Sequence, residues 1–365
     1  MLRTTVIVAL LLASAAGPPP AVPDPIRTTP FTSEAAPITA GEKTAAGSEL
    51  LPFTTDKTDR MTVGVRIGES GPFLFLVDTG SERTSISRQL ATRLGLLEGP
   101  GARVHSVLGS KNVATVNIPR MAVGKQALSV PNAPIFEESH LGADGLIGLD
   151  SLRSQRVTFD FKAGEMHIVP SRYERVGIED ENTIVIKARA RHGRLILTSA
   201  RIDGMRIPVI LDTGAQVSIG NFALRRKLEL AGRIAPIPTI GEASLSGDAS
   251  KVAYRGKQAI IESVTGEVRT VNLAEIDRLD LGGVELRKLG IAFASVAVFK
   301  HLGYDKKPAL LLGMDAMRTF DRIAIDFAQK KVRFVTPSVG MLDDYQTASV
   351  AHLVGTDRPR HLPAN

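Results

Sequence analysis

Cysteine and tryptophan are both absent from the 365-residue chain. Without thiols the protein cannot form disulfides, thiolate zinc sites, iron–sulfur clusters or a cysteine nucleophile. Histidine occurs only seven times, and no two histidines have the i, i+4 spacing that many zinc sites use, so we expect no metal and no cofactor. The Gly-x-Ser-x-Gly elbow of serine hydrolases is also missing. Any catalysis must therefore rely on other side chains.

The charge of the chain is moderately basic, with 45 Lys and Arg against 38 Asp and Glu, and a pI near 9.7. The basic residues are scattered and are not interleaved with aromatic residues, so we expect no nucleic-acid partner. Hydrophobic residues make up 43% of the chain, which is enough for a sizeable core. The length favours two units of similar size.

The N-terminus has the layout of an export signal. The apolar run Val6–Leu12 is followed by small residues up to Ala16, which predicts a signal peptide over 1–16. We expect a periplasmic or secreted protein with no membrane span after cleavage, an uncleaved signal anchor being the alternative. Residues 17–48 contain seven of the 21 prolines and are interpreted as a linker. The polar segment 338–365 is predicted to be a tail.

The chain contains an internal repeat, offset by 134 residues. In both copies an apolar strand ends in Asp-Thr-Gly, and leucines follow the Asp at 12 and 16 residues, which predicts a short helix after each strand. The repeated elements are Asp78-Thr79-Gly80-Ser81 with Leu90 and Leu94, Asp212-Thr213-Gly214-Ala215 with Leu224 and Leu228, the segments 113–118 and 268–273, the triplets 146–148 and 311–313, and the closing strands 157–161 and 323–327.

The repeat predicts an N-terminal lobe over 49–170, a connection over 171–193 and a C-terminal lobe over 194–337. From the Asp to the glycine of the later triplet the second copy is 31 residues longer than the first. The excess predicts a longer hairpin region around 241–267 and a longer loop around 297–308.

Two carboxylates brought together at an interface between the copies would form a catalytic pair. They cannot both ionise cheaply, so they would share one proton, and one would act as base and the other as acid. A single Asp-Thr-Gly is more often a simple turn. Two in matched contexts favour the catalytic interpretation.

These paired motifs resemble those of the aspartic proteases, more closely the retropepsin-like members, and the chain is similar to single-chain, two-lobed bacterial periplasmic examples. The resemblance implies a mostly β fold of two homologous lobes, pseudo-twofold symmetry and a cleft between them. It implies that Asp78 and Asp212 form the dyad, supported by Thr79, Gly80 and Ser81 and by Thr213, Gly214 and Ala215. It also implies an aspartic endopeptidase that acts as a monomer, a fused pseudo-dimer, on polypeptide substrates.

Two hairpins resemble flaps that close over substrate, and the candidate substrate-binding residues are Leu108, Gly109, Ser110, Ser246 and Gly247. A non-catalytic peptide-binding scaffold with the same cleft is the alternative function.

The sequence also suggests an asymmetry at the dyad. Ser81 has a hydroxyl that could donate to Asp78, whereas Ala215 has none for Asp212, so we expect Asp212 to be the more readily protonated partner. We expect Asp150 and Asp315 to cap short helices, and His105 and His301 to be surface or loop residues.

Overall fold

The computed structural model describes residues 61–124, 126–171, 183–237 and 258–337, together with the backbone of strands at 5–8, 12–14, 50–52 and 54–55. The described chain is mostly β, with short helices between strands. No helix within these ranges is long and apolar enough to cross a membrane.

The strands of the first half are β1 (Thr5–Val8), β2 (Leu12–Ser14), β3 (Leu50–Pro52), β4 (Thr54–Thr55), β5 (Met61–Ile67), β6 (Ser70–Val77), β7 (Ser85–Ser87), β8 (Glu98–His105), β9 (Ser110–Val123), β10 (Gln126–Phe136), β11 (Gly145–Ile147), β12 (Gln155–Asp160) and β13 (Glu165–Pro170). Those of the second half are β14 (Thr183–Lys187), β15 (Arg189–Arg191), β16 (Arg194–Leu197), β17 (Arg201–Ile202), β18 (Met205–Arg206), β19 (Val209–Leu211), β20 (Ile219–Gly220), β21 (Gln258–Ser263), β22 (Val268–Asp280), β23 (Glu285–Phe293), β24 (Leu310–Leu312), β25 (Arg322–Asp326) and β26 (Lys331–Val335). The helices are α1 (Arg88–Arg93), α2 (Glu138–Leu141), α3 (Leu149–Leu152), α4 (Phe222–Leu230), α5 (Ala297–His301) and α6 (Met314–Met317).

Two sheets share one strand order. The N-terminal sheet runs β2-β8-β9-β10-β7-β11-β6-β5-β4, and the C-terminal sheet runs β1-β21-β22-β23-β20-β24-β19-β16-β15. In each, a short buried strand (β11 or β24) lies parallel to the strand that precedes an Asp-Thr-Gly turn. Because such strands are covered on both faces, they are apolar throughout, as Leu310–Leu312 is.

A third sheet joins the two halves, in the order β14-β26-β25-β12-β13-β3. At its centre β12 and β25, the closing strands of the two sequence copies, pair antiparallel with Thr158 opposite Ala324. Side chains from both strands, including Phe159 and Ile325, are fully buried in one large apolar cluster. The halves therefore share a core.

The two predicted helices after the Asp-Thr-Gly turns are present as α1 and α4. Each begins at a polar N-cap: the Ser87 hydroxyl accepts from the Leu90 amide at 3.1 Å, and the Asn221 side chain accepts from the Leu224 amide at 2.8 Å. Buried side chains hold each helix against its sheet, Leu90 and Ala91 in α1 and Leu224 and Leu228 in α4.

The segment between the predicted lobes contains regular structure. Strand β14 pairs with β26 in the joining sheet, and β15 pairs with β16 at the edge of the C-terminal sheet. The expected connection over 171–193 thus contributes strands to two sheets. Residues 172–182 lie outside the described residues.

Candidate active site

Both candidate catalytic aspartates lie at the ends of central strands. Asp78 follows β6 and Asp212 follows β19, and their amides donate to Ile147 O and Leu312 O, each at 3.0 Å. Those acceptors belong to β11 and β24, so each aspartate is held by the apolar triplet of its own sheet. Both aspartates are fully buried.

The structure brings the two turns into direct contact. A Cβ added to Gly80 would lie 2.4 Å from Asp212 Cγ, and one added to Gly214 would lie 2.3 Å from Asp78 Cγ. Each glycine therefore packs against the carboxylate of the opposite turn. Only a residue without a side chain allows this approach.

Two threonines lock the turns together. The Thr79 amide donates to Thr213 Oγ1 at 3.0 Å, and the Thr213 amide donates to Thr79 Oγ1 at 3.1 Å. The hydroxyls then donate to the opposite strands, Thr79 to Leu211 O at 3.1 Å and Thr213 to Val77 O at 2.7 Å. The four bonds are reciprocal and buried, so they hold the turns in one arrangement.

Each carboxylate uses one oxygen to bind its own turn. Asp78 Oδ1 accepts from the amides of Gly80 at 2.7 Å and Ser81 at 3.0 Å, and Asp212 Oδ1 accepts from the Gly214 amide at 2.9 Å. The Oδ2 atoms are buried and receive no donor from other described side chains or backbone. The carboxyl groups lie within hydrogen-bonding reach of each other, so a shared proton can satisfy both Oδ2 atoms.

Burial is the main cause of raised pKa values at both aspartates. It raises the pKa of Asp212 to about 6, against the lowering effects of the Gly214 amide and the charge of Arg194. Burial and then the charge of Asp212 raise the pKa of Asp78 well above its ordinary range. The pair therefore holds one proton at neutral pH and titrates as a unit.

The expected hydrogen bond from Ser81 to the dyad is wrong. Ser81 Oγ donates to Arg83 O at 2.8 Å, so its hydroxyl does not stabilise the charged form of Asp78. Burial raises the pKa of both carboxyls, and the expectation that Asp212 carries the shared proton stays a prediction. Ala215 is fully buried in the apolar cluster of the C-terminal sheet, where a hydroxyl would have to be desolvated.

A buried arginine that we did not predict lies beside the dyad. Arg194, at the start of β16, is fully buried and donates to Gly80 O from Nε at 3.1 Å and from Nη2 at 2.6 Å. Its Nη1 forms a salt bridge of 2.7 Å with Glu82. His301 is exposed, as expected, but its Nε2 also lies 3.1 Å from the same Glu82 oxygen. Only the tertiary structure brings these three side chains together.

The tips of two hairpins cross between the sheets. In the N-terminal sheet the turn between β8 and β9 inserts Val107 into the apolar cluster of the C-terminal sheet. In the C-terminal sheet the turn between β21 and β22 inserts Val264 into a cluster formed by residues of the N-terminal sheet. Ser106 Oγ donates to Glu267 Oε2 across the tips at 3.4 Å. Each tip is therefore anchored by a valine in the opposite sheet.

The predicted flap residues fall in different places. Leu108 and Gly109 lie in the first hairpin turn, and Ser110 begins β9. Ser246 and Gly247 lie outside the described residues, and their assignment stays a prediction. The second described tip at 264–267 lies at the end of the predicted hairpin region 241–267, but sequence reasoning placed the flap residues in the Ser- and Gly-rich stretch before it, because the turn Thr265-Gly266 carries a weaker signal.

Asp150 and Asp315 tie short helices to the chain that follows the Asp-Thr-Gly turns. Asp150 Oδ1 accepts from the Thr84 amide at 2.9 Å and from its hydroxyl at 2.7 Å, and Asp315 accepts from the Ser218 amide at 2.9 Å and hydroxyl at 2.8 Å. Gly148 and Gly313, and not the aspartates, occupy the N-cap positions of α3 and α6, although Asp315 Oδ1 also accepts from the Ala316 amide in the first turn of α6 at 2.8 Å. The aspartates instead hold the chain that follows each dyad residue.

A family model described as an aspartyl protease matches residues 63–151, a range that runs from β5 to α3 and contains Asp78. No curated protein matches the chain significantly. The mostly β fold is consistent with that of an aspartic protease, and the matched domain supports peptidase activity.

Proposed function

We propose that the protein is an aspartic endopeptidase built from two homologous lobes related by pseudo-twofold symmetry, with Asp78 and Asp212 as its catalytic pair. The observation that carries the proposal is the reciprocal contact of the two turns, in which each glycine packs on the opposite carboxylate. A simple turn role for either aspartate would not require this contact. The equal strand orders of the two sheets and the antiparallel pairing of β12 with β25 support the symmetry.

The mechanism uses one water and the one shared proton. The ionised carboxyl takes a proton from the water while the water oxygen bonds to the peptide carbonyl carbon. The protonated partner gives its proton to the carbonyl oxygen. The carboxyl that took the water proton then passes it to the peptide nitrogen, the C–N bond breaks, and a hydroxyl proton of the intermediate returns to the other carboxyl as the new C=O forms. The pair ends with one proton, as it began, and neither metal nor covalent intermediate is needed.

We propose that the substrate is a polypeptide bound in extended form beneath the hairpins. Strand β2 pairs antiparallel with β8, while β1 pairs parallel with β21. Strands β1 and β2 belong to one stretch of chain. A twofold axis reverses the direction of the second hairpin, so an extended chain that crosses both hairpins is parallel to one and antiparallel to the other. The pairing supports strand addition to the leading strand of each hairpin as the mode of substrate binding.

The site of action proposed is outside the cytoplasm, in the periplasm or secreted, with a monomer as the active form. The apolar run Val6–Leu12 and the small residues after it support export, and the proline-rich stretch 17–48 supports a linker behind a cleaved signal.

The test is cleavage of an unfolded protein over a range of pH by wild type, Asp78→Asn and Asp212→Asn. We expect cleavage by the wild type and none by either variant, with all three folded by circular dichroism. Full activity of either variant would refute the catalytic pair. A wild type that binds peptides without cleaving them would instead favour the scaffold.

A further inference from the structure

Helix α5 belongs to the C-terminal lobe but contacts the catalytic turn of the N-terminal lobe. It lies in the 297–308 region, where the second sequence copy is longer than the first. Val298 and Phe299 are buried in the cluster of the C-terminal sheet, and Arg191 donates to Leu302 O just after the helix. The helix is therefore fixed firmly on the side of its own lobe.

The last residue of α5 makes the contact between lobes. His301 Nε2 lies 3.1 Å from Glu82 Oε1, and the His301 ring packs on that of His192 with centroids 4.2 Å apart. Glu82 is four residues after Asp78, in the same turn, and only 15% of its side chain is exposed. The imidazole N–H thus donates to a carboxylate with little access to water.

Glu82 connects His301 to the dyad through three further hydrogen bonds. Its Oε1 also accepts from Arg194 Nη1 at 2.7 Å, and Arg194 Nη2 donates to Gly80 O at 2.6 Å. The Gly80 amide donates to Asp78 Oδ1 at 2.7 Å. Because Arg194 is fully buried, its position depends on the carboxylate that neutralises it.

The corresponding position of the second turn has a different residue. Four residues after Asp212 the chain has Gln216, which carries no charge. The Glu82 carboxylate therefore has no charged equivalent at this position of the second turn.

We propose that His301 is a positioning residue for the proposed hydrolysis. By holding Glu82, His301 keeps Arg194 hydrogen-bonded to the Gly80 carbonyl. It thereby fixes the position of Gly80, whose amide donates to Asp78 and whose Cα packs against the Asp212 carboxylate. The inference rests on the proposed function. It assigns to the longer second-lobe segment the role of aligning the catalytic turn of the other lobe.

The test compares His301→Ala and His301→Gln with Lys300→Ala, an exposed neighbour on the same helix. A glutamine amide nitrogen can occupy the place of Nε2 and donate to Glu82. We expect kcat on a cleaved peptide to fall about threefold to tenfold in His301→Ala, the loss for one hydrogen bond. KM and Tm should change little, Lys300→Ala should match wild type, and His301→Gln should recover most of kcat.

Hydrogen exchange of the Gly80 amide provides a readout that does not depend on activity. We expect about threefold to tenfold faster exchange in His301→Ala than in wild type or His301→Gln. Unchanged kcat and unchanged exchange in His301→Ala would overturn the positioning role, and so would equal losses in the alanine and glutamine variants. An inactive wild type would refute the proposed function, and the exchange result would still decide the role of His301.

Discussion

The contact between Gly214 and Asp78 makes Gly214→Ala the sharpest test of the active-site geometry. Gly214 has no positive φ, so an alanine there carries no backbone strain. The added Cβ would lie 2.3 Å from Asp78 Cγ, more than 1 Å short of the 3.4 Å at which ordinary contact begins. The clash with the carboxylate is thus the whole effect of the substitution.

The Asp78 carboxylate cannot move away from the added methyl group without losing hydrogen bonds. Asp78 is fully buried, and two backbone amides hold its Oδ1, so moving it by about 1 Å breaks bonds that define the pair. Misplacement of a catalytic group by about 1 Å costs on the order of 100-fold in rate. The strain of overpacking should also lower the free energy of unfolding by about 1–3 kcal/mol.

The assay is kcat on a peptide substrate, measured well below Tm, with circular dichroism to confirm folding. Gly290→Ala is the matched control, because a Cβ there has no atom within 4 Å and the residue has no positive φ. We expect Gly290→Ala to keep the wild-type kcat. If folded Gly214→Ala retained more than about a third of it, the close packing of the two turns would be refuted.

Three further predictions concern pH and stability. Activity should rise as the pH increases through about 6, the raised pKa of Asp212, because below it both carboxyls are protonated and no base remains; a pH profile of kcat/KM checks this. Burial also raises the pKa of Asp315 to about 6, so the folded state retains a proton that the unfolded chain loses above about pH 4. Stability should therefore fall between about pH 4 and pH 6, and Asp315→Asn should flatten that fall by about 2 kcal/mol in urea unfolding at pH 4 and 7. Thr213→Ala leaves the Thr79 amide and Val77 O without their partners and should lower the free energy of unfolding by about 2–5 kcal/mol, whereas Thr213→Ser should lower it much less.

Much of the strand and helix pattern follows from local sequence. The apolar strands before Asp78 and Asp212, the leucine spacing of α1 and α4, and the caps at Ser87 and Asn221 depend on neighbours in the chain, so periodicity predicts them. The repeat also predicts which two aspartates are equivalent, since it needs only a comparison of the chain with itself.

The composition of the site depends on tertiary contacts. Nothing in the sequence near His301 or Arg194 indicates that they meet Glu82, which lies more than 100 residues away in the chain. The Ser81 hydroxyl could satisfy either Asp78 or a carbonyl of its own turn, and the folded geometry selects Arg83 O. The raised pKa values of both aspartates follow mainly from burial in the folded protein, which local sequence does not report.

The sequence by itself determined the two Asp-Thr-Gly turns, the strands that precede them and the absence of any thiol chemistry. It could do so because these features are local or compositional. Tertiary structure alone decided that each glycine packs on the opposite carboxylate, that the hairpin tips exchange valines and that the buried Arg194 meets Glu82 and the Gly80 carbonyl. Those features depend on close packing between segments distant in the chain, where a change of about 1 Å alters the chemistry.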